Sequence, residues 1–405
     1  MVESVIQLKC ECSNYPWGKV GEDSLAARLC SATPYNGFKL EKEKSYAEMW
    51  MGTYPTTPSY VLKTGELLQD VINANKEQLV GKTVLDKFGA DLPFLPKILS
   101  IQKALPLQIH PDIELSKKLH KENPDQFGDT NHKPEIAVAL SFFEAFCGFK
   151  PKSDIQQLLE LEPLKQFRPK DSQWTDSTMR ELCKNMLVAP EKTVADTLKA
   201  LGDLPKSQFG SHSHIPELVP RLISQYGQAD NGSLVTLILM NFLTFQPGEA
   251  ICIPADGIHA YLKGDIVECM ARSDNVLNTG FCPRADRDSV DLFVSALTFK
   301  QHDSKKPLLD RVDSEYSTTG KTTAFKPPMG EFNMLVTQLG KGDKDTIKEI
   351  PGPSVAFMTS GGGRMTADGK TTDIKAGYIY FIGQGVEVSY ESSSSDFAIY
   401  RAYAA

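Results

Sequence analysis

Three separated stretches of this sequence carry side chains of the kinds that bind a metal ion. In KALPLQIHPD, Gln108 stands two residues before His110. If that stretch is a strand, both side chains leave the same face, which is how a strand offers two donors to one ion. In NHKPEIAVAL, His132, Lys133 and Glu135 stand at the mouth of an apolar run. In PGEAICIPADGIHAY, a tight Pro-Gly turn, a short apolar run and a second Pro-bearing turn lead to His259. A lone histidine is ordinarily a buried, hydrogen-bonded residue. Three polar stretches that each enter an apolar strand point to a shared centre.

The chain has only seven histidines, so the others can be weighed singly. His120 in SKKLHKENPD reads as a solvated helical residue, and His302 in FKQHDSKK as surface. His212 and His214 in GSHSH sit in a loop with no carboxylate beside them and are expected not to bind metal. The eight cysteines form no CxxC pair and lack the spacing of a zinc ribbon or finger. Several lie among apolar neighbours, as Cys147 and Cys252 do, and read as reduced, buried thiols. The Gly361 to Gly363 run lacks the Lys and Ser/Thr of a phosphate-binding loop.

The elements that must position these residues show in the periodicity. Up to about residue 150, short apolar runs punctuated by Pro and Gly read as strands with a few short helices. From 153 to 226 the pattern turns helical. Ser153 and Gln156 resemble a capping box, Met179, Leu182, Cys183, Met186 and Leu187 recur at helical spacing, and so do Val219, Leu222, Ile223 and Tyr226. Strands resume near 241. In the last hundred residues Val355 and Phe357 alternate, Asp368-Gly369 forms a hairpin turn, and Val386, Val388 and Tyr390 alternate again. The expected architecture is mainly β, of the jelly-roll kind, with a helical block inserted between β-rich parts. The β-rich parts are 1–152, 233–300 and 301–405, and the helical insertion is 153–232.

Composition narrows the partners. The 405 residues are 41% hydrophobic and 23% charged, a globular profile that calls for more than one core. A net charge of -7 argues against a nucleic-acid partner. The start of the chain lacks a basic segment followed by an apolar one, and the longest apolar stretch, Leu234 to Met240, is far too short to cross a bilayer. A cytoplasmic monomer acting on a small molecule is expected.

The stretches NYPWGKVG (14–21), YAEMWMGTYP (46–55), KALPLQIHPD (103–112), NHKPE (131–135) and PGEAICIPADGIHAYLKGDIVECMARSDNV (247–276) together resemble type I phosphomannose isomerases of the cupin superfamily. The resemblance runs from the N-terminus to the C-terminal β region and implies two cupin-type jelly-roll β domains, the first at 1–152 and 233–300 and the second at 301–405, plus a helical domain at 153–232. It implies one Zn²⁺ held by Gln108, His110, Glu135 and His259. It also implies interconversion of mannose 6-phosphate and fructose 6-phosphate by proton transfer through an enediol(ate), feeding GDP-mannose synthesis. Trp17, Glu48, Lys97, Lys133, Tyr261, Glu268 and Asp274 are placed around the pocket by the same resemblance. Lys97 and Lys133, each beside a proline at the edge of apolar sequence, suit an anion, because an inward lysine is costly without one.

The sequence also departs from that pattern. Where many members read NVxRAGxTPK, this chain reads NVLNTGFCPR, with Asn278 at the Arg position, Arg284 at the Lys position, and Pro106 where a Ser is common. Arg284 is therefore expected to supply the missing cation, with Arg287 as the competing candidate. Two other classes remain open: an inactive sugar-binding relative, and an iron-dependent oxygenase, since His and carboxylate donors also suit iron.

Overall fold

A computed structural model describes residues 2–170, 173–299 and 308–405. The expected boundary at 300–301 and His302 lie outside the described residues.

Short helices such as Leu25–Ala32, Leu68–Ala74, Lys82–Phe88, Ile113–Glu122 and Val290–Ala296 accompany the sheets, and five further helices gather in one block. In the sheet that carries the candidate site, ten strands curl into a half-barrel. Its organising member is the strand His259–Ala271. The first part of this strand pairs with Phe143–Phe149 and, at His259, with Gln108; its second part pairs with Phe94–Ile101 and Glu135–Ala139. Inside lie Leu99, Ile101, Ala137, Phe143, Ile253, Tyr261 and Ile266, all buried.

The change of partners occurs at a bulge. Tyr261 faces Ala145 and Lys263 faces Glu144, so Leu262 has no opposite number. Gly264 follows with φ +132, and a Cβ there would stand 2.8 Å from the Phe142 carbonyl oxygen and 2.9 Å from Phe143 Cα. Only glycine fits. The bulge turns the strand back on itself. Met270 is the backbone partner of Glu135, yet the Glu135 carboxylate lies 3.6 Å from His259 Nε2. Eleven residues of straight strand would separate those ends by about 36 Å. The extra residue also shifts the side-chain alternation, so that Tyr261 and Ile266, an odd and an even position, share the inner face.

A second sheet, of eight strands, runs in the order Arg311–Asp313, Thr322–Phe325, Asn333–Leu339, Phe397–Tyr403, Ser354–Ser360, Ile379–Ile382, Val5–Lys9, Tyr60–Val61. One face packs on the first sheet through Ile6, Leu8, Met49, Ile98, Val267, Val355, Phe357 and Phe381. The other face packs on a four-stranded sheet, Lys344–Ile347, Val388–Ser392, Gly362–Ala367 and Lys370–Lys375. Val5–Lys9 therefore serves the sheet made largely of C-terminal strands, although it falls within 1–152. The Asp368-Gly369 turn is present, with φ of 49 and 70 at its two central residues.

The helical block extends further than its periodicity indicates. Helices span Lys152–Leu158, Asp176–Leu187, Glu191–Asp203, Ile215–Tyr226 and Asn231–Leu239. The last is apolar all round and wholly buried, which hides the one-sided stripe by which helices are read. Lys150, itself buried, donates to the carbonyls of Leu237 and Met240 at the end of that helix. Burial pulls its pKa down to about 7. The first helix starts directly after Pro151 with no side-chain cap, so Ser153 falls inside its first turn rather than at its cap. Among the described residues no helix is long and apolar enough to cross a membrane.

Candidate metal centre and active site

The three stretches converge. His259 is the direct cross-strand partner of Gln108, and Gln108 is also the partner of Asn278, so the three side chains share one face. The short strand Leu107–Ile109 ends one residue before His110, and Glu135 opens the strand Glu135–Ala139. Donor atoms of His110, Glu135 and His259 all lie within 4.8 Å of one another. The Gln108 amide end lies 3.0 Å from His259 Nε2.

The histidines are held in one orientation. His110 Nδ1 donates to the Asn275 carbonyl at 2.9 Å, and His259 Nδ1 donates to the Gly257 carbonyl at 2.8 Å. These bonds fix the tautomer and leave each Nε2 lone pair facing the centre. Burial lowers the pKa of both rings, to about 4 for His110, and the Lys133 ammonium adds to the effect. Burial alone would raise Glu135, but the two imidazoles and Lys133 outweigh it and hold the carboxyl below its ordinary range. His110 Nε2 approaches Glu135 Oε1 to 3.1 Å. Its angle makes no hydrogen bond, and the atom is buried without such a partner among the described residues. Two neutral imidazole lone pairs and a carboxylate turned on one point repel each other unless a cation lies between them; the Gln108 amide nitrogen, 3.0 Å from His259 Nε2, is a donor here, and the amide would turn its oxygen inward to join a metal. The residues fit a divalent metal of the zinc type, with nitrogen and oxygen donors and an amide as the weakest.

Beside this centre is a charged group. Lys97 is the cross-strand partner of both Glu268 and Trp50. Its ammonium lies 2.9 Å from Glu268, 3.9 Å from Glu48 and 4.5 Å from the centre of the Trp50 ring. The Trp50 indole donates to Glu48. Burial would lower Lys97, yet Glu268, Glu48 and Glu135 hold its ammonium above the ordinary range. Burial pushes the Glu268 carboxyl up to about 7; Lys97 opposes this, while Glu135 and Glu48 add to it. Glu268 thus holds its proton more tightly than an ordinary carboxyl does, because burial outweighs the Lys97 ammonium beside it. Lys133 stands 4.0 Å from Glu135, and the buried Tyr261 donates to Glu135 Oε2 at 3.2 Å. Trp17 packs against the barrel interior and stacks on Tyr15 at 5.9 Å. Asp274 is exposed, and its charge reaches Tyr15 and Tyr54, which places it at the rim.

The two arginines go elsewhere. Arg284 pairs with Glu191 of the helical block at 2.7 Å, both more than 60% exposed. Arg287 pairs with the buried Asp230 at 2.5 Å and donates to the Cys282 carbonyl. That Asp also caps the helix Asn231–Leu239, so Arg287 is held by the packing of the insertion. Neither arginine is brought to the cluster, and Asn278 leaves a buried Oδ1 without a hydrogen-bond partner among the described residues. Other histidines differ in detail from their sequence reading. His132 faces Glu331 at 2.6 Å, His120 bonds the Phe127 carbonyl, and His212 does meet a carboxylate, Asp154 at 3.1 Å.

The sequence reading missed Trp50, Asn275 and Gly257. Trp50 follows Glu48 by two residues in YAEMWMG, the same-face spacing that had marked Gln108 and His110. Asn275 and Gly257 act through backbone carbonyls, and no side-chain pattern announces those.

A buried His–Glu–His set in a half-barrel, with an amide at its edge and a shared lysine beside it, defines a metal-site β-barrel enzyme. Residues 5–152 match the phosphomannose isomerase type I catalytic domain. The chain is 37% identical to the mannose-6-phosphate isomerase of Schizosaccharomyces pombe, covering 98% of this chain and 99% of that one. It is 35% identical to the one of Aspergillus fumigatus, covering 98% and 96%. Among solved structures, mannose 6-phosphate isomerase of Salmonella typhimurium in its apo form is similar, with TM-score 0.81 and 27% identity over 100% of both chains. So is the form bound to fructose 6-phosphate and zinc, with TM-score 0.80 and 26% identity over 99% and 100%. The chain belongs to the mannose-6-phosphate isomerase family, and it is an isomerase by that membership.

Proposed function

We propose that this chain interconverts mannose 6-phosphate and fructose 6-phosphate, with one Zn²⁺ held by Gln108, His110, Glu135 and His259. The observation that carries the reading is the buried, donor-only convergence of His110, Glu135 and His259 beside Lys97 and Glu268. When bound, the metal supplies a positive charge that stabilises developing negative charge on a sugar oxygen. The chain's own residues do the rest. Lys133, next to Glu135, offers a second cation to an enediolate oxygen. Glu268, poised near neutrality, can accept and return a proton at the Lys97 end of the pocket. Glu48 and Trp50 hold Lys97 against it. Tyr261 orients Glu135, Trp17 offers an apolar wall to a sugar face, and Asp274 stands at the entrance. With Arg284 and Arg287 engaged elsewhere, anion balance falls to Lys97 and Lys133. The ten-stranded half-barrel, with the helical block inserted, is read as the first cupin-type jelly roll. The eight- and four-stranded pair is read as the second. A cytoplasmic monomer feeding GDP-mannose synthesis fits this assignment.

The test is elemental analysis together with turnover of mannose 6-phosphate. Wild type should carry one zinc per chain, and His259→Ala should lose both metal and activity. Full activity without stoichiometric metal, or in His259→Ala, would overturn the assignment.

A further inference from the structure

Away from the half-barrel, a second set of polar groups is buried between the eight- and four-stranded sheets. Five residues form a cross-strand row of direct partners: Leu335 with Arg401, Arg401 with Ala356, Ala356 with Tyr380, and Tyr380 with Gln7. Direct partners project to the same face. Leu335, Ala356 and Tyr380 belong to the core between the two sheets, so Arg401 and Gln7 point there too. Tyr390 faces them from the four-stranded sheet.

Arg401 is 2% exposed. Its Nε donates to Ser354 Oγ at 2.8 Å. Both of its Nη atoms are buried with no hydrogen-bond partner among the described residues, and the same holds for Gln7 Nε2 and the hydroxyls of Tyr380 and Tyr390. No carboxylate among the described residues pairs with Arg401; the charges that reach it are those of Tyr390, Tyr403 and Tyr316. Tyr390 also reaches Tyr380, so the guanidinium and the two phenols are near neighbours. A guanidinium and an amide nitrogen can only donate, and a phenol can turn its O–H to join them. Burying an unpaired cation with this many open donors is costly, and an oxyanion would satisfy the charge and the donors together. Ala356, standing between Arg401 and Tyr380 in the row, has the smallest side chain of the five. A cavity of about 1220 Å³ opens at the surface beside Lys63 and Lys370 and reaches the Gln7 and Tyr380 end of the row, though not Arg401 itself. Its mouth also holds Glu3, which pairs with Lys370 at 3.0 Å, and Glu66 and Asp368.

We propose that the space between these two sheets is a binding site for a small oxyanion, a phosphate or a carboxylate, gripped by Arg401 with Gln7, Tyr380 and Tyr390. This site is separate from the metal centre and uses none of its residues.

The test uses the zinc-loaded full chain and inorganic phosphate, followed by the rise in thermal midpoint, in wild type, Gln7→Leu and Tyr390→Phe. Neither variant touches the metal centre, so phosphate bound there responds equally in all three. Loss of one hydrogen bond to a charged ligand should weaken the second site about tenfold in each variant. Identical half-saturation in all three proteins overturns the proposal. A crystal grown with selenate locates the ion: an anomalous selenium peak at the Arg401 Nη atoms is expected, and water alone there is a refutation. A peak unaccompanied by any change in the variants marks binding at crystal concentration only, which also refutes it. Replacing phosphate by acetate in the titration separates the two ligand sources. A response to phosphate alone assigns the tetrahedral ion, and a response to acetate as well assigns the wider carboxylate class.

Discussion

Replacing Lys97 by Met would remove the ammonium that the buried carboxylates of Glu268 and Glu48 share. The methionine can occupy much the same volume over the Trp50 ring, so the perturbation is mainly electrostatic. Lys97 is 5%, Glu268 4% and Glu48 9% exposed, and the closest charge contact is 2.9 Å. Removing one partner of a buried pair typically costs about 3–5 kcal/mol, because the remaining charge must be held without compensation. Part of that cost is relieved by proton uptake, since Glu268 already sits high on the scale. We therefore expect Lys97→Met to lose about 3 kcal/mol in urea unfolding of the metal-loaded protein at neutral pH. In the double variant Lys97→Met/Glu268→Gln, the orphaned charge is gone, and the loss should be smaller than the sum of the singles by about 1 kcal/mol or more. An exposed pair such as Lys192–Asp196 gives the contrast, and its removal should leave the midpoint unchanged. The reasoning fails if Lys97→Met unfolds at the wild-type midpoint, or if the cycle is additive.

Glu268 also fixes a pH signature. Its carboxyl is raised in the folded chain, so its proton stabilises the fold below the unfolded pKa and that contribution is lost as pH rises through about 7. Between pH 4.5 and 7 the stability difference, wild type minus Glu268→Gln, should fall with rising pH, and a flat difference in denaturant midpoints would contradict this. Gly264→Ala should destabilise by about 2 kcal/mol or more and reduce metal content, since its Cβ meets fixed backbone; calorimetry with zinc analysis checks both, and a wild-type result would remove the bulge from the argument. Arg287→Ala should cost about 2 kcal/mol or more by leaving Asp230 buried without its cation, whereas Arg284→Ala should leave both stability and turnover near wild type; the reverse order, measured by unfolding and kinetics, would restore Arg284 as the functional cation.

Donor chemistry was legible in the sequence because it is local. Gln108 and His110 are two apart, Glu135 opens an apolar run, and His259 follows a turn. Helical stripes were equally legible where one face meets solvent, as in Asp176–Leu187, but not in Asn231–Leu239, where every face is buried. What stayed hidden depends on distant pairing. Val5–Lys9 finds Ile379–Ile382 across most of the chain, and His132 finds Glu331. Arg284 looked available because its neighbours in sequence are loop residues, yet its partner Glu191 begins a helix of the insertion. Charge near a site in sequence does not fix where a long, flexible side chain will find its counter-ion.

The corner at Gly264 also constrains how this sequence can change in length. His259, Tyr261 and Glu268 belong to one continuous stretch, and the bulge sets the parity between its two arms. Inserting or deleting one residue between Tyr261 and Ile266 would turn one arm inside out, sending either the metal ligand or Glu268 to the wrong face. The nine-residue spacing from His259 to Glu268 is therefore fixed by the bulge, a constraint of parity that the loops outside this strand do not carry. That interval works as a ruler against which related sequences can be aligned even where their side chains have diverged.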